Sequence, residues 1–166
     1  DLKKVLSNVK TRGILGEVQL AAILREIMAP EQYETEVRVR PDSRNVVEFA
    51  VKIPSDSGFI YLPIDSKFPG ETYAKLRDAY ETGDPELISQ CAKSLTATIR
   101  AEAKSIKEKY IAPPYTTEFA VMFLPFEGLY AEVVNRGMVE VLQREYNVNI
   151  AGPITMAALL NSLQMG

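Results

Sequence analysis

Two β-rich runs separated by a short polar turn constrain this chain more than any other feature. Val46 to Ile53 is rich in β-branched and aromatic residues and is bounded by Asn45 and Pro54. After Ser55-Asp56-Ser57-Gly58, the run Phe59 to Lys67 returns, and Pro69-Gly70 ends it. The pair predicts an antiparallel hairpin. In its first strand Val47, Phe49, Val51 and Ile53 share one face, while Val46, Glu48, Ala50 and Lys52 share the other. In the second, Ile60, Leu62 and Ile64 oppose Tyr61, Pro63, Asp65 and Lys67. Pairing about a loop centred between Asp56 and Ser57 sets Glu48 opposite Asp65, with Cβ atoms about 5 Å apart. A slip of one residue would undo this, and Pro63 invites an irregularity.

Around the hairpin the pattern reads as alternating helices and strands. Leu2 to Ile27 has helical spacing, with Leu6, Val9, Gly13, Leu20, Leu24 and Ile27 near one stripe, and Pro30 closes it. Tyr33 to Val39 alternates like a half-solvated strand. Asp84-Pro85-Glu86 opens a helix with a capping Asp and a first-turn proline. Its apolar stripe runs through Ile88, Ala92, Leu95, Ile99, Ala103, Ile106 and Tyr110 to the stop at Pro113-Pro114. Phe119 to Leu124 reads as a central strand, Gly128 to Tyr146 as one helix, Asn147 to Ala151 as a short strand, and Pro153 to Gln164 as a last helix. The 166 residues, without repeat or linker, predict one domain with a mixed α/β sheet flanked by helices.

Composition narrows the chemistry. With no histidine, a Ser-His-Asp or Cys-His unit and any His-ligated metal site are excluded. With Cys91 as the single cysteine, so are an internal disulfide and a thiolate cluster, and a reducing cytoplasm is the expected compartment. No apolar run approaches the ~18 residues that span a bilayer, so no membrane contact by this segment is expected. A net charge of −3 argues against a generic basic DNA-coating protein. Carboxylates, lysines, hydroxyls and bound ions must carry the function.

Glu48 and Asp65 facing each other repel unless something lies between them. A divalent cation is one answer: Mg²⁺ takes one or two carboxylates, with waters and a substrate phosphate completing its octahedron. Lys67, two residues from Asp65 on the same face, is a compact cation able to hold a phosphate or orient an attacking water. An ordinary surface ion pair of Glu48 with Lys52 or Lys67 fits the same spacing. Glu17 falls three, four and seven residues from Leu20, Gly13 and Leu24, which places it on the apolar stripe of the first helix, where a glutamate needs a partner or a metal; a position at the stripe's margin, reaching solvent, is the alternative. Gly13 and Gly16 permit close approach of that helix to the sheet.

Several blocks, in order, resemble the RmuC family of DNA recombination proteins: Gly13-Ile-Leu-Gly-Glu17-Val-Gln-Leu20, Val46-Val-Glu48-Phe-Ala-Val-Lys-Ile-Pro54, and Leu62-Pro-Ile-Asp65-Ser-Lys67-Phe-Pro69. Ile106-Lys-Glu-Lys-Tyr110, Thr117 to Pro125 with Glu127, and Gly152-Pro-Ile-Thr155 extend the likeness over nearly the whole chain. The resemblance implies a restriction-endonuclease-like core of the PD-(D/E)xK superfamily. It implies Glu17, Glu48 and Asp65 as metal-binding acids, the Ser66 carbonyl as a further ligand, Lys67 as the catalytic lysine, and Mg²⁺ or Mn²⁺ as cofactor. It implies a bacterial protein that limits DNA inversion at short repeats, often with an N-terminal membrane anchor and long coiled coils through which it can assemble. The chain, whose first residue already lies in a helical pattern, reads as a piece of something longer. One departure stands out: Val47-Glu48 occupies the place of the superfamily's Pro-Asp. The literal match at Pro41-Asp42 is rejected, because pairing Asp42 with Asp65 would centre the turn inside the strand near Ile53-Pro54.

Arg100, Lys104 and Lys107, with Lys93 two turns earlier, line one side of the long helix as candidate contacts to DNA phosphates. Glu86, Glu102 and Glu108 dilute that patch, and a solvated face is the alternative. Lys3, Lys4, Lys10 and Arg12 pose the same choice. Aromatic residues are not interleaved with basic ones, so no stacking platform is indicated. Tyr61 and Tyr73 can approach the acidic site, Glu127 can support it or cap the next helix, and Cys91 is read as structural. The expectation is a Mg²⁺-dependent nuclease domain acting on DNA. Its rival is a non-catalytic DNA-binding or scaffold module of a coiled-coil recombination protein.

Overall fold

The computed structural model describes residues 9–165 of the chain, with side chains from Arg12 to Gln164. Lys3, Lys4 and Leu6, and the side chains of Val9 and Lys10, lie outside the described residues. In chain order the elements are α1 (Val9–Ile27), a 3₁₀ turn (Pro30–Gln32), β1 (Tyr33–Val37), β2 (Val47–Ser55), β3 (Gly58–Ser66), α2 (Gly70–Thr82) and α3 (Pro85–Tyr110), followed by β4 (Ala120–Phe123), α4 (Glu127–Asn135), α5 (Met138–Tyr146), β5 (Val148–Ala151) and α6 (Pro153–Met165). The strands form one mixed sheet in the order β1-β2-β3-β4-β5. The first two pairings are antiparallel and the last two parallel. Parallel neighbours need crossovers, and α2 with α3, then α4 with α5, provide them.

Both faces of the sheet are covered. Leu95, Ile99, Ala103 and Ile106 of α3, helped by Leu76, Leu129 and Leu142, close over Ala120, Met122 and Val148. On the opposite face Leu20 and Leu24 of α1 and Met156 and Leu160 of α6 close over Phe49, Val51, Leu62, Ile64, Val121 and Phe123. Every residue of β4 is buried, as its unbroken apolar run requires of a strand packed on both sides. The Asp84 side chain accepts from Glu86 N at 3.0 Å, so α3 begins where its capping sequence places it.

The hairpin keeps the expected register, from Phe49 opposite Ile64 to Ser55 opposite Gly58, with only Asp56 and Ser57 left in the turn. Pro63 pairs with Ala50 without a slip. Tyr61 N donates to Tyr115 O and Lys67 N to Phe123 O, so the odd residues of β3 face the β4 side. The donor that Pro63 lacks therefore belongs to that side, short of Ile64, where the β4 pairing begins.

Two helical features depart from expectation. Gly70–Thr82 forms a helix that the sequence pattern did not announce, because Pro69-Gly70 reads as a breaker and the buried residues Gly70, Tyr73, Leu76 and Ala79 include only one strong aliphatic. The stretch from Gly128 to Tyr146 is two helices, not one. Gly137, at φ 74° in the left-handed region, ends α4 and starts α5.

Candidate functional site

The open end of the hairpin, where β2 begins and β3 ends, gathers the polar residues. Asp65 is 5% exposed, although it is charged and lies in a strand. Lys67 leaves the same end of β3 and places its Nζ 3.1 Å from Asp65 Oδ2 and 3.2 Å from Glu102 Oε2 of α3. Glu48, one residue beyond the paired segment of β2, accepts a hydrogen bond of 2.7 Å from Ser66 N through Oε1. A cleft of about 270 Å³ opens here, lined by Glu48, Ser66, Lys67, Arg12, Thr98 and Glu102 among others. A second, of about 310 Å³, lies on the other side of Glu48 and includes Glu17 and Glu36.

Close docking of α1 makes this possible. A Cβ on Gly16 would collide with Ser66 Oγ and lie 3.2 Å from Pro125 Cγ, so only glycine lets the helix meet β3 here. Gly13 has nothing within 4 Å of such a Cβ, and its expected role in close approach is not realised. Of the two positions open to Glu17, the structure takes the one at the stripe's margin. The buried side of α1 runs Arg12, Gly16, Leu20, Leu24, and Glu17, a 100° step further round, is exposed at its margin. It still reaches Glu48, with which it shares a hydrogen bond.

The electrostatics are those of crowded acids. Burial, the hydrogen bond to Glu17 and the nearby Asp65 charge push Glu48 up to about 9, against which the Ser66 N–H pulls only in part. Burial also raises Asp65, despite Lys67 beside it. For Lys67, burial lowers the value, but the Asp65 and Glu102 carboxylates outweigh it and hold the ammonium above the ordinary lysine range. Asp65 Oδ2 is sealed from solvent, and the Lys67 ammonium is its close charged neighbour. A hard divalent cation fits this donor set: a buried carboxylate that shares one ammonium with Glu102, next to carboxyls that resist ionising together, gains from added positive charge. Among the described residues no three acidic, His or Cys side chains close into a ready cage. Mg²⁺ needs only one or two carboxylates when waters and a phosphate complete its shell.

The other anticipated residues lie elsewhere. Arg100 binds Glu145 through two contacts of 3.0 and 3.2 Å, and Lys107 Nζ donates to Glu145 O at 3.3 Å. Lys104 and Lys107 share a separate cleft with Arg40, across α3 from Glu102, and Lys93 is exposed. Asp42 is exposed in the β1–β2 connection. Tyr61 OH donates to Glu34 Oε2 at 2.8 Å, and Tyr73 is buried against α3. Glu127 Oε1 accepts from Ile154 N at 2.9 Å, which makes it a cap for α6. Cys91 packs at the edge of the α3 core. Glu102, read from the sequence as diluting charge, and Arg12, read there as either a phosphate contact or a solvated base, also line the cleft.

No helix among the described residues is long and apolar enough to cross a membrane. No solved structure matches the chain. Two curated proteins described as DNA recombination protein RmuC homologs, from Xylella fastidiosa strains Temecula1 and 9a5c, are each 54% identical to it over 170 residues. Those alignments take in all of this chain and 37% of each relative's length, so the chain spans little more than a third of them. The RmuC family pattern matches residues 1–166, and with this identity along its whole length the chain belongs to the RmuC family.

Proposed function

We propose that the chain is a Mg²⁺- or Mn²⁺-dependent nuclease domain of the PD-(D/E)xK type, hydrolysing DNA phosphodiesters during recombination in the cytoplasm. The observation that carries the reading is the meeting of Glu48 and Lys67 at one cleft, with the buried Asp65 carboxylate 3.1 Å from the Lys67 ammonium. Glu48 and Asp65, with Glu17 and the Ser66 carbonyl beside them, would hold the cation, which when bound supplies positive charge to phosphate oxygens and a more acidic water. Lys67 stays protonated at neutral pH, so of its two expected roles the fitting one is to attract phosphate and orient water, not to remove a proton. Glu102 keeps that ammonium aimed along the cleft wall.

Cleavage of single-stranded, duplex and branched DNA with either metal tests the reading. The chain should cut at least one of them, and Lys67→Ala should lose about 10²-fold or more, the usual loss when one electrostatic donor is removed. Equal cutting by both proteins, or none by the unaltered chain, refutes it. A non-catalytic DNA-binding module is the second reading, and what favours it is the lack of a closed acidic cage among the described residues. That reading requires DNA binding without cleavage.

A further inference from the structure

We infer that the cleft lined by Arg40, Lys104 and Lys107 holds backbone phosphates of bound DNA, on the flank of α3 away from Glu102; the inference rests on the DNA substrate of the proposed function. Along the sequence Lys93, Arg100, Lys104 and Lys107 form one basic row, and Arg40 belongs to the distant β1–β2 connection. The fold redraws that row. Arg100 is taken up by the Glu145 carboxylate, at 3.0 and 3.2 Å, and Arg144 Nη2 lies 3.8 Å from the same group. Arg40 joins Lys104 and Lys107 instead, in a cleft of about 390 Å³, with its Nη2 donating to Ile111 O at 2.9 Å.

Among the described residues, none of these three cations forms an ion pair. Lys107 Nζ donates to a neutral carbonyl, Glu145 O, at 3.3 Å, and Arg40 Nε is sealed from solvent with no acceptor among the described residues. Two carboxylates line the same cleft. That of Glu145 is engaged by Arg100, which leaves Glu108 as one negative charge against three positive ones. In a chain of net charge −3, this local excess calls for an anion. Lys104 and Lys107 are exposed, which suits phosphates that stay partly solvated along a backbone.

The path from the acids is short. On a helix two residues turn through 200°, so Glu102, which holds Lys67, and Lys104 flank the buried Ala103 on opposite sides. The same step puts Ala101 and Ser105 on the outward face between them, where short side chains let a backbone cross α3. A helix is about 10–12 Å across, or about three to four steps of a duplex strand at ~3.4 Å each. A strand with one phosphate over the acids therefore reaches the basic cleft with another a few nucleotides away.

The test is a titration of labelled single-stranded and duplex DNA in Ca²⁺, followed by fluorescence anisotropy from about 50 to 200 mM salt, with melting temperatures measured in parallel so that each titration is read on folded protein. The double variant Lys104→Gln with Lys107→Gln should weaken binding about tenfold and reduce the slope of log Kd against log salt by about two. Arginine at both positions should restore the slope, which a mere change of surface packing would not. Arg40→Gln should reduce it by about one, and Lys93→Gln, on the same helix but outside the cleft, should leave it unchanged. An unchanged slope in the double variant or in Arg40→Gln overturns the inference. So does an equal loss per lysine in Lys93→Gln, which would make any charge on α3 equivalent, and so does a failure of the unaltered chain to bind either DNA. Pyrophosphate that binds as tightly as DNA, and loses its binding in the double variant, marks a small-anion site and overturns it as well. A reduced slope without cleavage in any metal defeats the nuclease reading and leaves the basic cleft in place; intact cleavage with an unchanged slope does the reverse.

Discussion

At the scale of single residues, Glu48 sets the terms. In the unfolded chain its carboxyl titrates near 4.5, whereas in the fold burial and its acidic neighbours lift it to about 9. Between those values the folded state keeps a proton that the unfolded chain has shed, so stability falls as pH rises through that window. Asp65, raised in the same direction, adds to the trend. In metal-free buffer the melting temperature should therefore decline from pH 5 to pH 9. Glu48→Gln should flatten that decline and melt above the parent at pH 8, since its amide oxygen can still accept from Ser66 N. A variant that follows the parent's pH profile would show that Glu48 is not the group responsible. The facing of Glu48 and Asp65 was legible because it depends only on hairpin pairing, which the turn and the alternation define. The ion pair of Glu102 with Lys67, and the place of Arg12 in the same cleft, were not legible, because they depend on how α3 and α1 dock from opposite faces of the sheet. No local pattern encodes that.

Elements show the same division between local and distant causes. The long helix α3 announces itself by a capping Asp, a first-turn Pro and a stripe of buried Ala92, Leu95, Ile99, Ala103 and Ile106. By contrast, α2 has a glycine start and a short buried face of Gly70, Tyr73, Leu76 and Ala79, and becomes a helix because tertiary packing overrides a weak local signal. The break at Gly137 is visible only as a left-handed φ, which a glycine inside a periodic apolar pattern does not reveal. The docking of α1 turns on Gly16 in a way that can be measured. Gly16→Ala gains helix propensity, yet its methyl must displace Ser66 or Pro125. Overpacking of this sort costs about 1–3 kcal/mol, which outweighs the ~1 kcal/mol of propensity gained. The melting temperature should fall by a few degrees and cleavage should fall with it, because Ser66 and Glu17 both shift. A melting temperature at or above the parent's would mean that α1 has slack against β3 and that the tight contact does not position the site.

For the whole molecule, the five-stranded sheet and its two helical layers place every acid of the site at one end of β2 and β3, so a cation there ties the hairpin to α1. Anything that binds only the folded state raises its melting temperature, by about 2.7 kcal/mol at a hundred times the dissociation constant. For a chain of this size that is roughly 5–10 °C. The size of the shift should depend on pH, because a cation must displace the proton that Glu48 otherwise keeps up to about 9. Displacing one proton strengthens binding about tenfold per pH unit below that value. Mn²⁺ or Mg²⁺ at fixed concentration should therefore stabilise the chain more at pH 8 than at pH 6, offsetting the metal-free decline. Asp65→Asn, which keeps the shape and removes the buried charge, should abolish the stabilisation at both. A shift of the same size at both pH values, or one that survives in Asp65→Asn, would place the cation on surface carboxylates and separate metal binding from the cleft.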